Sequence, residues 1–144
     1  MKNVILLMGL PRSGKSTLAQ KLHKELGYPI VCPDDVRIAL HGGEYLPAAE
    51  SMVWTMTYYM ANALLLSHEG LIVDVCNRMR LRRDEWRQKL QGELRFRVAE
   101  VVTDPALCRA RAEGNPQLQS VIDRMAAGYE PLGDDEPLYE RFTL

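Results

Sequence analysis

The residues best suited to chemistry lie close to the N-terminus. Positions 9–16 read GLPRSGKS, which satisfies the pattern G-x-x-x-x-G-K-[S/T] in full. An apolar run over residues 2–8 predicts a buried strand before the loop, and apolar spacing over residues 15–26 predicts a helix after it. A strand, a glycine-rich loop and a helix are the context in which this pattern binds phosphate. We therefore expect the loop to bind the phosphates of a nucleotide.

The residue types in this loop explain how it would hold phosphate. Glycines let backbone N–H groups point inward, and the N-terminus of the following helix adds partial positive charge. Lys15 is expected to reach the β and γ phosphates, and Ser16 to offer its hydroxyl to Mg²⁺. Thr17 would contact the α phosphate or cap the helix. The residues predicted to bind ATP in this segment are Gly9, Pro11, Arg12, Ser13, Gly14, Lys15, Ser16 and Thr17, although Arg12 could equally point to solvent.

A second group of polar residues follows the next predicted strand. Residues 28–32 read as a short strand halted by Pro33, and residues 34–37 read DDVR. Asp34 or Asp35 is expected to cap a short helix that runs through residue 40. In a doubly wound sheet this segment emerges at the carboxyl edge, next to the phosphate loop. There a carboxylate can accept a proton from an attacking hydroxyl, and Arg37 can hold an anionic acceptor by a fork of hydrogen bonds.

The remaining elements alternate between strand and helix patterns. At 144 residues the chain has the length of one domain, residues 1–144. The order predicts an α/β fold of the P-loop NTPase type: a doubly wound, mostly parallel sheet of four or five strands with helices on both faces. The further predicted elements are a helix at 47–68, strands at 71–75 and 96–102, helices at 81–90, 106–112 and 118–129, and a possible short edge strand at 141–144.

Four segments together carry a resemblance to a known family. They are the loop GLPRSGKST at 9–17, DDVR at 34–37, LIVDVCN at 71–77 followed by a basic helix, and VIDRM at 121–125. With these segments the chain resembles the kinase domain of the phage-type polynucleotide 5′-hydroxyl kinases, within the broader group of small ATP-dependent P-loop kinases. The resemblance implies that Asp34 is the general base and that Arg37 contacts a phosphate of the acceptor.

The same resemblance implies further site residues. Asp74 and Asn77, with the adjacent Arg78, would shape the metal and acceptor pocket, and a helical lid around residues 105–130 would close over ATP. Three arginines match lid positions, where they would neutralise charge on the transferring phosphoryl group; otherwise they form a solvated helix face. They are Arg109 and Arg111, expected to bind ATP, and Arg124, expected to act in catalysis.

The identity of the acceptor stays open at this level. A run of arginines could track a nucleic-acid backbone, but acidic residues are interspersed and the net charge of −1 gives no general attraction for polyanions. We consider an ATP-dependent kinase of DNA or RNA 5′-hydroxyl ends first, then a kinase of a small nucleoside, metabolite or antibiotic, and then a non-catalytic nucleotide-binding module. The arginines are Arg78, Arg80, Arg82, Arg83, Arg87, Arg95 and Arg97.

Composition indicates the class of protein and its expected cellular location. Apolar residues make up 47% and charged residues 26% of the chain, as in ordinary globular proteins. The apolar runs are too short for a membrane span or a secretion signal. The three cysteines are widely separated, without the spacing of a zinc site or a disulfide framework. We expect a cytoplasmic protein that uses ATP and Mg²⁺, does not bind membranes and has no obligate protein partner.

Overall fold

The computed structural model describes residues 1–43 and 45–143. Within these ranges the chain forms five β-strands, six α-helices and one turn of 3₁₀-helix at Pro47–Ala49. The strands are β1 (Lys2–Met8), β2 (Ile30–Val31), β3 (Gly70–Val73), β4 (Leu94–Val102) and β5 (Leu138–Thr143). The helices are α1 (Lys15–Leu26), α2 (Pro33–His41), α3 (Glu50–Ser67), α4 (Arg80–Lys89), α5 (Pro105–Arg111) and α6 (Pro116–Ala127). No helix within the described ranges is both long enough and apolar enough to cross a bilayer.

All five strands form one parallel sheet in the order β2-β3-β1-β4-β5. β1 lies at the centre, where Val4 pairs with Leu71 of β3 on one side and with Phe96 of β4 on the other. Its residues 4–8 are fully buried, as expected for an apolar strand covered on both faces. The predicted α/β fold with a parallel sheet is therefore confirmed.

Helices cover both faces of the sheet. α3 and α4 pack on one face through Ala61, Leu65 and Trp86, whereas α1 packs on the other through Leu18 and Leu22. α5 and α6 form a third, smaller apolar cluster above the carboxyl edge, around one residue of the phosphate loop. Its buried members are Leu10, Cys108, Ala112 and Ile122. The two helices of the expected lid region thus pack directly against the phosphate loop.

Two local expectations were wrong. The N-cap of α2 is Cys32, and Pro33 is its first residue, so neither Asp34 nor Asp35 caps the helix. Proline suits this position because it lacks an N–H that would be unpaired there in any case. The edge strand begins three residues earlier than expected, at Leu138, and a register shift in its pairing with β4 lies between Val98 and Ala99. Its expected last residue, Leu144, lies outside the described residues.

The arginines of α4 hold this edge strand in place. Arg83 is 0% exposed and forms a two-pronged ion pair, at 2.8 and 3.0 Å, with Glu136, whose side chain is 1% exposed. Arg87 donates to the same carboxylate, and Arg80 pairs with Asp135. These arginines therefore anchor the segment that leads into β5.

Candidate active site

The phosphate loop has the backbone shape that its sequence predicts. Arg12 and Gly14 both adopt positive φ, at 64° and 106°. A side chain at position 9 would lie 2.9 Å from the Ser13 hydroxyl and 3.0 Å from the Val101 carbonyl, so only glycine fits there. The strained conformation of Arg12 is typical of a backbone turned to point its N–H groups at an anion. The described loop therefore has the form of an anion cradle.

Lys15 is buried and bridges the loop. Its ammonium donates a hydrogen bond of 2.8 Å to the Leu10 carbonyl, which also accepts a bond of 3.1 Å from the Ser13 N–H. From outside the loop, the Thr103 hydroxyl donates to the Ser13 carbonyl at 2.8 Å. The Ser13 hydroxyl itself is buried without a hydrogen-bond partner in the described structure. These contacts hold the loop in its turned conformation.

Ser16 and Asp74 form the part of the site that suits a metal ion. The Ser16 hydroxyl donates to the Asp74 carboxylate at 2.9 Å. Burial raises the pKa of Asp74, while the hydrogen bond from Ser16 and the charge of Lys15 act in the opposite direction. A hydroxyl and a carboxylate are the hard oxygen donors that Mg²⁺ prefers. Within the described residues no group of three or more His, Cys, Asp or Glu side chains could enclose a metal, so Mg²⁺ would also need oxygen atoms of the nucleotide.

One cavity of about 580 Å³ extends from Ser16 and Asp74 to the DDVR segment. It brings together residues that are far apart in sequence but were expected to act on the same reaction. The expected site residues that do not line it are Gly9, Ser13, Gly14, Thr17, Arg109, Arg111 and Arg124. The expected site residues that do are Pro11, Arg12, Lys15, Ser16, Asp34, Arg37, Asp74, Asn77 and Arg78.

Arg37 lies between two carboxylates. Its Nε and Nη2 donate to Glu50 at 2.9 and 2.6 Å, and its Nη1 donates to Asp34 at 2.6 Å. The Arg37 and Glu50 side chains are each 15% exposed, whereas Asp34 is 77% exposed. The hydrogen bond from Arg37 lowers the pKa of Glu50. Glu50 was not singled out from the sequence, although it is the only charged residue of an otherwise uncharged 18-residue helix.

Asn77 and Arg78 connect the cavity to the sheet and to the end of α6. Asn77 has a φ of 50°, and its amide nitrogen donates to the Leu7 carbonyl at 2.7 Å, while its buried Oδ1 has no hydrogen-bond partner in the described structure. Arg78 donates to the Gly128 carbonyl at 3.1 Å, and its own carbonyl accepts from the Glu130 N–H at 2.8 Å. The segment after β3 is thus tied to the strand that precedes the phosphate loop and to the segment after α6.

The cavity wall also contains a contact between Arg82 and Trp54 that the sequence analysis did not predict. The guanidinium carbon of Arg82 lies 4.0 Å from the centre of the Trp54 ring, a cation–π contact. Arg82 also pairs with Glu85 at 2.8 Å. Trp54 packs edge-on against the buried Trp86, so it contributes to the core as well as to the cavity. The sequence alone does not bring Arg82, from a different helix, onto this ring.

The predicted lid arginines lie apart from that cavity. Arg111 donates to the Arg12 carbonyl at 2.9 Å, Arg109 pairs with Asp123, and Arg124 lies on the exposed face of α6. A second cavity of about 590 Å³ opens beside the phosphate loop, and Arg111 contributes to it. It is lined by Arg12, Gly14, Thr17, Leu18, Lys21, Val101, Arg111 and Phe142. Thr17 faces this second cavity, and because the N-cap of α1 is Gly14, the capping role considered for Thr17 was wrong.

Comparisons with solved structures show the same fold in other proteins. A putative kinase from Chloroflexus aurantiacus matches with a TM-score of 0.73 at 22% identity, over 99% of this chain and 88% of that one. A sugar kinase from Janibacter sp. HTCC2649 matches with a TM-score of 0.70 at 16% identity, over 100% and 85%. The Pnkp1/Rnl/Hen1 complex matches with a TM-score of 0.70 at 21% identity, over 79% of this chain and only 40% of that chain.

The sequence itself identifies the family. No curated protein matches it. The family model described as "AAA domain" (AAA_33) matches residues 4–132, which include the phosphate loop, the DDVR segment, the Asp74 region and α6. Since this match covers most of the chain, and the fold is that of the P-loop kinases, the chain belongs to the AAA_33 family of AAA domains.

Proposed function

We propose that this protein is an ATP- and Mg²⁺-dependent phosphotransferase that moves the γ-phosphoryl group of ATP onto a hydroxyl. The observation that carries the proposal is one cavity lined by Lys15, Ser16 and Asp74 on its phosphate side and by Asp34 and Arg37 on its other side. A protein that only binds nucleotide has no need of a carboxylate and arginine facing the phosphate loop. This arrangement supports transfer to an acceptor over simple binding.

On the phosphate side, the residues act by neutralising and orienting charge. Lys15 would exchange its bond to the Leu10 carbonyl for the β and γ phosphates, whose charge it matches better. Ser16 and Asp74 would hold Mg²⁺, which supplies charge neutralisation on the phosphate oxygens. The nucleoside would extend into the second cavity, between Arg111 and Phe142. Thr17 would then lie beside the α phosphate.

On the acceptor side, Asp34 would act as the general base. Its exposed carboxylate takes the proton from the acceptor hydroxyl as the acceptor oxygen bonds to the γ-phosphorus. The bond from that phosphorus to the β–γ bridging oxygen breaks, and ADP leaves with the bonding electrons. Arg37, held by its two carboxylates, keeps Asp34 oriented toward the cavity. Arg109, Arg111 and Arg124 would act from the α5–α6 lid if those helices move over the nucleotide.

The acceptor could belong to one of two classes, a polynucleotide 5′-hydroxyl end or a small hydroxyl compound. Similarity to the chain in the Pnkp1/Rnl/Hen1 complex and the DDVR segment favour a polynucleotide 5′-hydroxyl. The intramolecular pairing of the α4 arginines and the limited cavity volume favour a small hydroxyl compound. Either acceptor would use the same Asp34 and Lys15 chemistry.

The test is transfer of labelled phosphate from γ-labelled ATP. The purified protein with Mg²⁺ is offered 5′-hydroxyl oligonucleotides of DNA and RNA, nucleosides and simple sugars, with the Lys15→Ala variant as the inactive control. Label in an acceptor that depends on Lys15 supports the proposal. ATP binding without transfer to any acceptor would instead indicate a nucleotide-binding module.

A further inference from the structure

Glu50 occupies the place where an anionic acceptor would be expected. The planar fork formed by Nε and Nη2 of Arg37 is the geometry that binds a carboxylate or a phosphate through two parallel bonds. Here both donors bind the two oxygens of Glu50, at 2.9 and 2.6 Å. A third donor, on Nη1, binds Asp34. The chain thus supplies its own anion to Arg37.

The charges around Arg37 leave no surplus positive charge for an acceptor. One guanidinium faces two carboxylates, Asp34 and Glu50, so this corner of the cavity is negative by one charge. Asp35, in the same helical turn as Asp34, adds to the negative field. A second anion brought to this corner would meet repulsion from both partners of Arg37.

The other arginines of this wall are also engaged. Arg82 is paired with Glu85 and stacked on Trp54, and Arg78 donates to the Gly128 carbonyl. The fourth arginine that lines the cavity, Arg12, belongs to the phosphate loop and also lines the second cavity, where the nucleoside is proposed to bind. Among the described residues, the acceptor side therefore has no arginine that is both free of protein partners and next to Asp34.

Displacing Glu50 from Arg37 would be unfavourable. The Glu50 side chain is 85% buried, and α3 carries no cation between residues 51 and 67 that could replace Arg37. A buried carboxylate that loses its partner keeps its desolvation cost without its compensating attraction. The Arg37–Glu50 pair is therefore expected to persist when the acceptor binds.

We propose that the acceptor carries no negative charge next to its reacting hydroxyl, and that Glu50 is the residue that excludes anionic acceptors. The substrate class is an uncharged hydroxyl compound such as a nucleoside or a sugar, and not a nucleotide with a 3′-phosphate or a polynucleotide end. This inference rests on the proposed function, because it concerns the acceptor half of the same cavity. Glu50 determines specificity indirectly: it occupies the Nε and Nη2 donors of Arg37 and so positions Arg37, without touching the acceptor itself.

The test compares matched acceptors that differ only in charge. Initial rates are measured at saturating ATP and Mg²⁺ for a nucleoside and its 3′-monophosphate, and for an aldose and the corresponding aldonate. In the wild-type protein kcat/KM is expected to be at least about 10-fold higher for the neutral member of each pair, since an unpaired like charge costs at least one factor of ten. Glu50→Gln should reduce that preference by about 10-fold or more, because it frees Arg37 for the anionic acceptor.

Two control variants make the result specific. Glu93→Gln removes an exposed carboxylate that does not line the cavity, and it should leave the neutral-to-anionic ratio unchanged. Adding Arg37→Ala to Glu50→Gln should abolish the gain with anionic acceptors. A wild-type preference for the 3′-phosphate or for a 5′-hydroxyl oligonucleotide would overturn the inference, and so would a Glu50→Gln variant that folds normally but keeps the wild-type ratio.

A binding measurement separates this inference from the proposed function. Trp54 lines the cavity, whereas Trp86 is fully buried, so a change in tryptophan fluorescence on titration reports acceptor binding. If no acceptor is phosphorylated but the neutral compounds bind at least about 10-fold more tightly than their anionic partners, the phosphotransfer proposal fails and the charge inference stands. If the anionic compounds bind as tightly as the neutral ones, the charge inference fails regardless of turnover.

Discussion

The Ser16 hydroxyl donates a hydrogen bond of 2.9 Å to the Asp74 carboxylate. This contact joins the first turn of α1 to the residue that follows β3, 58 positions later in the chain. It forms because β1 and β3 are neighbouring parallel strands, so the segments that leave their carboxyl ends meet at one edge. The pair offers two oxygen ligands at the point where a metal would meet the β and γ phosphates.

Asp74→Asn should therefore weaken the use of Mg²⁺. The amide keeps the size of the side chain but removes its charge, and the apparent affinity for Mg²⁺ in phosphoryl transfer should fall by about 10- to 100-fold. ATP binding measured in EDTA should change little. Steady-state rates over a Mg²⁺ titration check this, and an unchanged Mg²⁺ dependence would contradict the metal role.

Lys15→Ala should remove most of the ATP-dependent phosphoryl transfer. In the proposed reaction its ammonium would be the closest fixed charge to the transferring phosphates, and stabilising the charge on those phosphates is the main task of the protein in such reactions. Lys24→Ala is the matched control, because Lys24 is an exposed lysine at the other end of the same helix. Equal turnover by both variants would contradict the phosphate-binding role of the loop.

Asp34→Asn should leave ATP affinity nearly intact and slow the chemical step by a factor of roughly 10² to 10⁴, the usual contribution of a general base. Asp35→Asn is the internal comparison, since Asp35 is adjacent in the same helical turn but does not line the cavity. Single-turnover rates separate chemistry from product release. If Asp35→Asn is the damaging change and Asp34→Asn is silent, the roles of the two residues are reversed.

The strand–loop–helix unit at the N-terminus could be predicted from sequence, because it is specified by residues close together in the chain. The segment from β1 through α1 combines a buried apolar strand, a glycine-rich loop and a helix with a left-handed cap at Gly27, and the predicted bounds of both elements match the structure. Its geometry is determined by backbone preferences and local periodicity. The DDVR segment was also predicted correctly to follow the second strand at the carboxyl edge of the sheet, because the strand and the proline that ends it are local signals.

Contacts between distant elements were not predictable in this way. Arg37 meets Glu50 and Arg82 meets Trp54 only because α2, α3 and α4 pack side by side on the sheet. The sequence left open whether the arginines of α4 form a surface for polyanions, because the carboxylate that pairs with Arg83 and Arg87 lies about 50 residues further along the chain. A single sequence shows that such charges exist but gives no distance between them.

Glu136→Gln should destabilise the fold. The Arg83–Glu136 pair is almost completely buried, and breaking a buried pair by removing one charge typically costs about 3–5 kcal/mol of unfolding free energy. Glu93→Gln, at an exposed position, is the control and should be nearly neutral. Replacing both members together, as Arg83→Met with Glu136→Leu, should recover much of the loss. Urea denaturation at pH 7 measures all three variants.

The same pair predicts a pH dependence of stability. Burial raises the pKa of Glu136, but hydrogen bonds, led by that from Arg83, outweigh it and lower the pKa from 4.5 to about 2. Because the folded-state pKa is depressed, the contribution of Glu136 is complete above about pH 4.5 and is lost as the pH falls toward 2. Glu136→Gln should therefore show a flatter fall in unfolding free energy than the wild type across this window. Parallel curves for the two proteins would contradict the assigned pKa.

The salt dependence of acceptor use should be weak. A protein that neutralises several backbone phosphates releases condensed counterions, so its affinity for a polynucleotide falls steeply with salt. In this chain Arg80, Arg83 and Arg87 are already paired with carboxylates, so we expect them to neutralise few phosphates of a nucleic-acid backbone. With ATP saturating, KM for the preferred acceptor should change by less than about two-fold between roughly 50 and 200 mM salt, whereas six to ten phosphate contacts would raise it by about 10³ to 10⁵. A steep rise measured with a 5′-hydroxyl oligonucleotide would instead mean that these ion pairs open in the complex and that the acceptor is a nucleic acid.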